Sequence, residues 1–399
     1  MTSQERHEAR YQRRKAAREA RRKELLDEAL DFNKVFTFPH LYHSAQLCFK
    51  GVSWKASVQA YKARCGINVA RRLRDLRNGV CKLRKCPEFY IRERGHLRRI
   101  NSIHIDDRVP QKCNSYYSLK PVLHRTLVYD NYASQEGKGT TKARDRVKCM
   151  LERHIRKYGM TGGMIVFDIR HFFDSIQHSL VRQVMDKHYD DKWIIGLNMK
   201  IVRHNRTDVG LVLGSENSQD FAITTPSSLD HFIREVLRPD SSGRYMDDGI
   251  IIHHDYEYLK GVLEEIKTFA ARLGFTLNEK KSRLLHFGEQ FTFLKRKYDF
   301  TETGHIIIRP ARESVVRERR KLKKLARKHD EGKIPFKTCS ESVQAWKASI
   351  DGTKCFKITQ SIDTLFNQLL IPWLVREEAY TPCTTKSYQV DRSSTFATA

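Results

Sequence analysis

Residues 244–254 read RYMDDGIIIHH, and this stretch limits what the chain can fold into more than any other. Two adjacent carboxylates, Asp247 and Asp248, sit between apolar residues on both sides. Neighbouring carboxylates raise each other's pKa and gain nothing from burial unless a cation neutralises them. Asp-Asp-Gly is good turn chemistry, so one reading is a plain β-turn. The other is a metal site at the tip of a hairpin. The stretch alone fits both.

The chain has 399 residues, which allows two or three domains or lobes at about 150 residues each. With 40% apolar residues it can bury a sizeable core. No run reaches the roughly 18 apolar residues of a membrane span. The N-terminal MTSQERHEARYQRRKAAREARRKELL has no apolar core of the kind a secretory signal needs, so the expected compartment is the cytoplasm. Nine scattered cysteines without a CxxC pair fit a reducing compartment and give no reason to expect a zinc–cysteine site. The net charge of +27, from 74 Lys+Arg against 47 Asp+Glu, is a self-repulsion that a polyanion would offset. Nucleic acid is favoured over anionic membrane, because no lipidation motif or basic-aromatic anchor is present.

Along the chain, residues 1–30 read as one basic helix, free of Gly and Pro. It is either a solvated charged helix or an arm that tracks phosphates. Helical segments follow around SWKASVQAYKARC and NVARRLRDLRNG. YIRERGHLRRINSIHIDDRV alternates apolar and polar residues as strands do, with RERG as a hairpin turn. That places Arg92, Arg94, Arg98 and Arg99 on or near one two-stranded element. Two helices are expected in 111–160 around ASQEGKGTTKA, whose Gly137-Lys138-Gly139-Thr140 is Gly-rich and basic but not a Walker motif. GMIVFDI at 163–169 reads as a buried strand ending in an acid, Asp168. HFFDSIQHSLVRQVMDKHY then reads as a helix capped by Ser175 or Asp174. After the YMDD hairpin come an amphipathic helix, YEYLKGVLEEIKTFAARLGF, and another hairpin, FTFLKRKYDFTETGHIIIRP, turning at Glu-Thr-Gly. RESVVRERRKLKKLARKHD is a basic amphipathic helix, helical material continues to about 376, and the last twenty residues are polar and Ser/Thr-rich.

Asp168 thus ends one apolar strand, and Asp247 and Asp248 sit between two others about eighty residues later. An antiparallel sheet can gather these three at its rim. Two magnesium ions about 4 Å apart need such hard oxygen ligands and little else from a protein.

At this point the chain resembles the reverse transcriptases. FDIRHFFDSI resembles their motif A, an acid followed five residues later by an aromatic, and RYMDDGIII resembles motif C, YxDD. GLVLGSENSQDFA resembles motif B, LGFTLNEKKSRLL motif D, and FTFLKRKYDF motif E, the primer grip. LRRINSIHIDDRVPQKC resembles the R-x-I…DR-x-x-Q segment of bacterial members. The likeness spans about 90–310. Motif B departs from the common Q-G-x-x-x-S-P: Leu213 stands for Gln and Gln219 for Pro. That form resembles the enzymes of diversity-generating retroelements.

The resemblance implies an α+β right-hand polymerase: a basic N-terminal helix over 1–30, fingers over 31–160, a ferredoxin-like palm with motifs A–E over 161–310, a helical basic thumb over 311–380 and a loose tail over 381–399. It implies two Mg2+ ions, replaceable by Mn2+, held by Asp168, Asp247 and Asp248. Phe173 would pack under the ribose and exclude a 2′-hydroxyl, Arg98 with Arg94 would grip the triphosphate, and Lys281 would face the pyrophosphate. Leu213 and Gln219 would lie at the nucleotide, Leu294 and Lys295 at the primer, and Arg319 and Lys323 along duplex phosphates. The implied activity is RNA-directed DNA synthesis from deoxynucleotides on an RNA template, in a bacterial or phage retroelement with a small accessory protein. The alternative role is antiphage defence with a dedicated noncoding RNA. A catalytically silent scaffold is disfavoured by the intact carboxylates, and an RNA-templated RNA polymerase by Phe173. The sequence does not reveal the oligomeric state. His253 and His254 read as structural residues on the strand leaving the site.

Overall fold

The computed structural model describes residues 3–93, 96–204 and 208–380, so Arg94 and the tail over 381–399 lie outside the described residues. The chain divides into two compact units, Met1–Glu289 and Gln290–Ala399. Residues 290–310, assigned above to the same lobe as the YMDD hairpin, fall in the second unit.

In the first unit the basic helix runs Ser3–Ala29, and helices Ala56–Ala63 and Cys65–Arg77 follow where periodicity placed them. Strands β1 (Glu88–Glu93) and β2 (His96–Asn101) form the expected antiparallel hairpin, with Arg98 opposite Ile91. The strand pattern read through NSIHIDDRV is corrected: Ile105–Asn114 is a helix, with His104 Nδ1 accepting the Asp106 N–H at its start. Asp106 and Asp107 sit buried in its first turn, where acids suit the helix dipole. Both pair with the buried Arg72, and Asp106 also meets Arg71 and Arg84. Partners some 35 positions away thus override the local alternation.

The second sheet is the centre of this unit. Strand β3 (Gly163–Asp168) is buried at all six positions, as a continuous apolar run requires. β4 (Ser241–Tyr245) and β5 (Asp248–His253) make a hairpin, and β6 (Arg283–His286) closes the sheet in the order β4-β5-β3-β6, every pair antiparallel. Between β5 and β6 runs the helix Tyr256–Arg272, started by the Asp255 carboxylate on the Tyr258 N–H at 3.1 Å. It buries Leu259, Val262, Ile266 and Ala270, the stripe its sequence spacing predicts, and packs on β3. The helix expected over HFFDSIQHSLVRQVMDKHY is broken. Phe172–Ser175 and His178–His188 are separate, because Ile176 is extended and the Ser175 hydroxyl donates back to the Phe172 carbonyl instead of capping.

The second unit begins with β7 (Phe291–Phe293), β8 (Arg296–Phe300) and β9 (Ile306–Pro310) in one antiparallel sheet. The single hairpin expected there is two. Glu302-Thr303-Gly304 turns as predicted, and a second turn falls at Leu294-Lys295, both residues at positive φ. Helices Arg312–Asp330, Phe336–Ser349 and Phe356–Tyr380 follow around a core of Leu322, Cys339, Val343, Trp346, Ile362 and Leu370. Among the described residues, no helix is long and apolar enough to cross a membrane.

Candidate active site

The register brings the three predicted carboxylates together. Asp168, the last residue of β3, is paired directly with Asp248, the first of β5. The Ile169 N–H donates to the Asp247 carbonyl at 3.0 Å, which ties the next residue of the acidic strand to the turn. Like charges directly opposite on neighbouring strands destabilise a sheet. Part of that repulsion is met by Lys281, whose Nζ lies 2.6 Å from Asp168 Oδ1. Burial alone would lower the Lys281 pKa, but the hydrogen bond to Asp168 and the charges of Asp168, Asp248 and Asp247 outweigh it and raise it. The ammonium is thus bonded to Asp168 and feels the charges of Asp247 and Asp248. Its side chain is still 62% exposed.

The segment before β6 is knitted to the same acid by residues that sequence reasoning missed. Asn278 donates from its side chain to Asp168 Oδ2 at 3.2 Å and from its backbone to the Asp168 carbonyl at 2.7 Å. The Asp168 N–H reaches the Ser282 hydroxyl at 3.2 Å. An Asn and a Ser spaced four apart beside the singled-out Lys281 were the available signal.

The hairpin tip is a two-residue turn at Met246 and Asp247, with Met246 at φ +54°. A non-glycine residue there costs on the order of 1 kcal/mol or more and persists only where its surroundings over-determine it. The surrounding group is Arg244. It is 2% exposed, and its Nη1 donates to the Met246 carbonyl at 2.7 Å. The same guanidinium forks onto Asp230 at 2.6 and 2.7 Å and donates to the Ile223 carbonyl at 3.1 Å. Sequence reasoning passed over Arg244 and Asp230. Both lie in polar stretches, TTPSSLDH and RPDSSGRYMDD, so no local signal marked them.

Gly249 also corrects the first impression of Asp-Asp-Gly. It lies within β5 and not in the turn, and a Cβ there would meet the Phe167 ring at 2.1 Å. The glycine is present for close packing, not for turn geometry. At the neighbouring loop Gly214 has φ +119°, and a Cβ would meet the Asn101 carbonyl at 2.6 Å.

The remaining predicted residues are placed as follows. Phe173 is half-buried against the core, with its ring edge-on to Phe172 at 5.7 Å and its carbonyl accepting the Leu211 N–H at 2.8 Å. Leu213 is half-buried, and its carbonyl holds the Asn101 N–H of β2 at 3.0 Å. Gln219 is exposed on the helix Glu216–Thr224. That helix is anchored by Glu216, paired with Lys112 and Lys120, and by Ser215, whose hydroxyl donates to Gln111. Burial would raise the Glu216 pKa, but the two lysines hold it below its ordinary value. Lys138 is turned inward: its ammonium donates to the Tyr129 and Asn131 carbonyls at 2.8 Å, so the Gly-Lys-Gly loop spends its cation on itself. In the second unit, Leu294 is buried, Lys295 is exposed, and Arg319 and Lys323 lie exposed along one side of an open groove beside Ser361.

Three carboxylates at one sheet rim with a single ammonium bonded to Asp168 leave surplus negative charge, and every donor is a hard oxygen. That donor set fits divalent cations of the magnesium class. A family model described as reverse transcriptase (RNA-dependent DNA polymerase) matches residues 88–307, more than half of the chain. No curated protein matches it.

Proposed function

The chain belongs to the reverse transcriptase family, RNA-directed DNA polymerases and hence nucleotidyltransferases, and from that premise we propose that it copies RNA by two-metal nucleotidyl transfer at Asp168, Asp247 and Asp248. Membership implies an RNA template, a DNA product and deoxynucleotides. The observation that carries the site assignment is the direct pairing of Asp168 with Asp248 at the rim of the β4-β5-β3-β6 sheet, which reads as the palm.

The chemistry is attack of the primer 3′-oxygen on the α-phosphorus of a deoxynucleotide. The bond from that phosphorus to the bridging oxygen breaks, pyrophosphate leaves with the bonding electron pair, and the hydroxyl proton passes to solvent. Mg2+, replaceable by Mn2+, would be held by the three aspartates and would supply charge neutralisation at the attacking and leaving oxygens. Lys281, kept protonated by its acidic neighbours, would serve the leaving pyrophosphate as proton donor or counter-charge. Arg98, with Arg94, grips the triphosphate, since guanidinium suits bidentate phosphate contact. Leu294 and Lys295 serve the primer, and Arg319 and Lys323 the duplex backbone.

Phe173 acts as the sugar gate, because its ring is fixed by Phe172 and the core instead of turning freely. Phe173→Ala is expected to raise ribonucleotide use by about 10- to 100-fold, the usual worth of relieving a clash of this size. Primer extension with paired ribo- and deoxynucleotides measures it, and an unchanged preference would remove the gate assignment.

Leu213 and Gln219 point to a diversity-generating retroelement, in which a template RNA is copied with errors at adenines. An apolar Leu213 supplies no side-chain donor at the nascent pair. Misincorporation opposite template adenine is therefore expected to be high and to fall roughly fivefold in Leu213→Gln, the worth of one hydrogen bond. Ordinary accuracy opposite adenine in the wild type would remove this reading. Sequencing the RNA that copurifies separates a retroelement template from the dedicated noncoding RNA of a defence enzyme.

A further inference from the structure

The β4–β5 hairpin has a second cluster at the end opposite its catalytic turn. Asp240 precedes β4, His253 ends β5 and His254 follows it, and one ligand atom from each lies within 4.8 Å of the others. Asp240 is already aimed. Its Oδ2 accepts the backbone N–H and the ring Nδ1 of His254, both at 2.8 Å, and its Oδ1 accepts the Tyr158 hydroxyl at 3.2 Å. The Tyr158 ring stacks on His254 at 4.6 Å and fixes the imidazole plane. The Nδ1 of His253 lies 3.3 Å from the Asp255 carbonyl and 3.0 Å from the Asp255 N–H; the tautomer whose Nδ1–H donates to that carbonyl presents a bare Nε2 to a ligand. Hydrogen bonds that orient a carboxylate and a stacked ring that orients an imidazole are the supports metal ligands ordinarily have.

We propose that Asp240, His253 and His254 bind a first-row transition dication of the zinc class, which staples the two ends of the hairpin that carries Asp247 and Asp248. Two imidazoles and one carboxylate prefer such a cation to Mg2+, which favours an all-oxygen set like the acidic trio. The His254–Asp240 pair is a proton shared between two ligand atoms, and the cation takes the place of that proton, which leaves to solvent. The site is open: the side chains of His254 and Asp240 are 45% and 23% exposed, so water can complete the coordination. Five residue steps of about 3.3 Å separate His253 from Asp248, so this site and the acidic trio do not share ligands.

The test is zinc uptake by the full chain after chelator treatment, in excess Mg2+ to occupy the acidic trio. Equilibrium dialysis and metal analysis give the stoichiometry. One equivalent is expected to be lost in His254→Ala and in Asp240→Asn and kept in Asp168→Asn. Zinc held by thiols persists in every variant and cancels in the difference. Zinc should also raise the melting temperature of the wild type and not that of His254→Ala. If His254→Ala fails to fold for want of the Tyr158 stack, His253→Asn reads the same lost equivalent. Uptake that is the same in wild type and the folded variants overturns the proposal, as does no uptake by the wild type.

Discussion

Replacing Asp247 and Asp248 together by Ala abolishes DNA synthesis while RNA binding is largely kept. The loss is expected to reach about a thousandfold or more, since the charge stabilisation supplied by bound cations is worth several kcal/mol. Folding should not suffer. Both residues are half-buried at a turn, and Asp248 faces Asp168 directly, a like-charge pair whose removal gains on the order of 0.2–1 kcal/mol. Thermal melting should therefore match or exceed that of the wild type, which separates lost chemistry from lost fold. Of the single variants, Asp247→Ala is expected to be the more severe, with Asp248 assisting. RNA binding depends on basic residues and should keep its salt dependence, because no phosphate contact is removed. Primer extension beside filter binding decides the matter: synthesis that survives the double change returns RYMDDG to being a turn and nothing more.

Much of this site was legible because its signals are local. A continuous apolar run ending in Asp168 becomes a strand buried on both faces, and Asp247 and Asp248 fall at the turn and the first strand residue of a hairpin, as the stretch around them suggests. Misreadings arose where distant residues decide. NSIHIDDRV alternates like a strand, yet Asp106 and Asp107 are drawn into a helix start by arginines that come earlier in the chain. Gly249 looks like a turn residue beside two aspartates, and only the Phe167 ring across the sheet shows otherwise. The Gly-Lys-Gly loop, which the sequence already set apart from a Walker motif, has its Lys138 consumed by carbonyls of its own loop. Asn278 and Ser282 act on Asp168 from over a hundred positions away, so their role cannot be read from neighbours in sequence.

Arg244 gives the second large effect, and it bears on how the acidic turn is held. Arg244 and Asp230 are both buried, and removing one partner leaves the other charge uncompensated, which costs about 3–5 kcal/mol. Arg244→Met should be that much less stable in denaturant unfolding. Arg244→Lys keeps the charge but cannot span Asp230 and the Met246 and Ile223 carbonyls together, because an ammonium lacks the planar fork. It should fold and yet synthesise slowly. The decisive variant combines Arg244→Met with Asp230→Leu. Replacing a buried pair by apolar residues of similar volume is often neutral or stabilising, so stability should return. Activity should not return, since nothing then donates to the Met246 carbonyl or holds its left-handed peptide, and with it the Asp247 carboxylate. A fall in kcat with the KM for deoxynucleotide nearly unchanged is the expected signature of misplaced catalytic groups in an otherwise intact nucleotide pocket. A double variant that regains both stability and wild-type kcat would show that the pair serves the fold alone and that the turn keeps its own geometry.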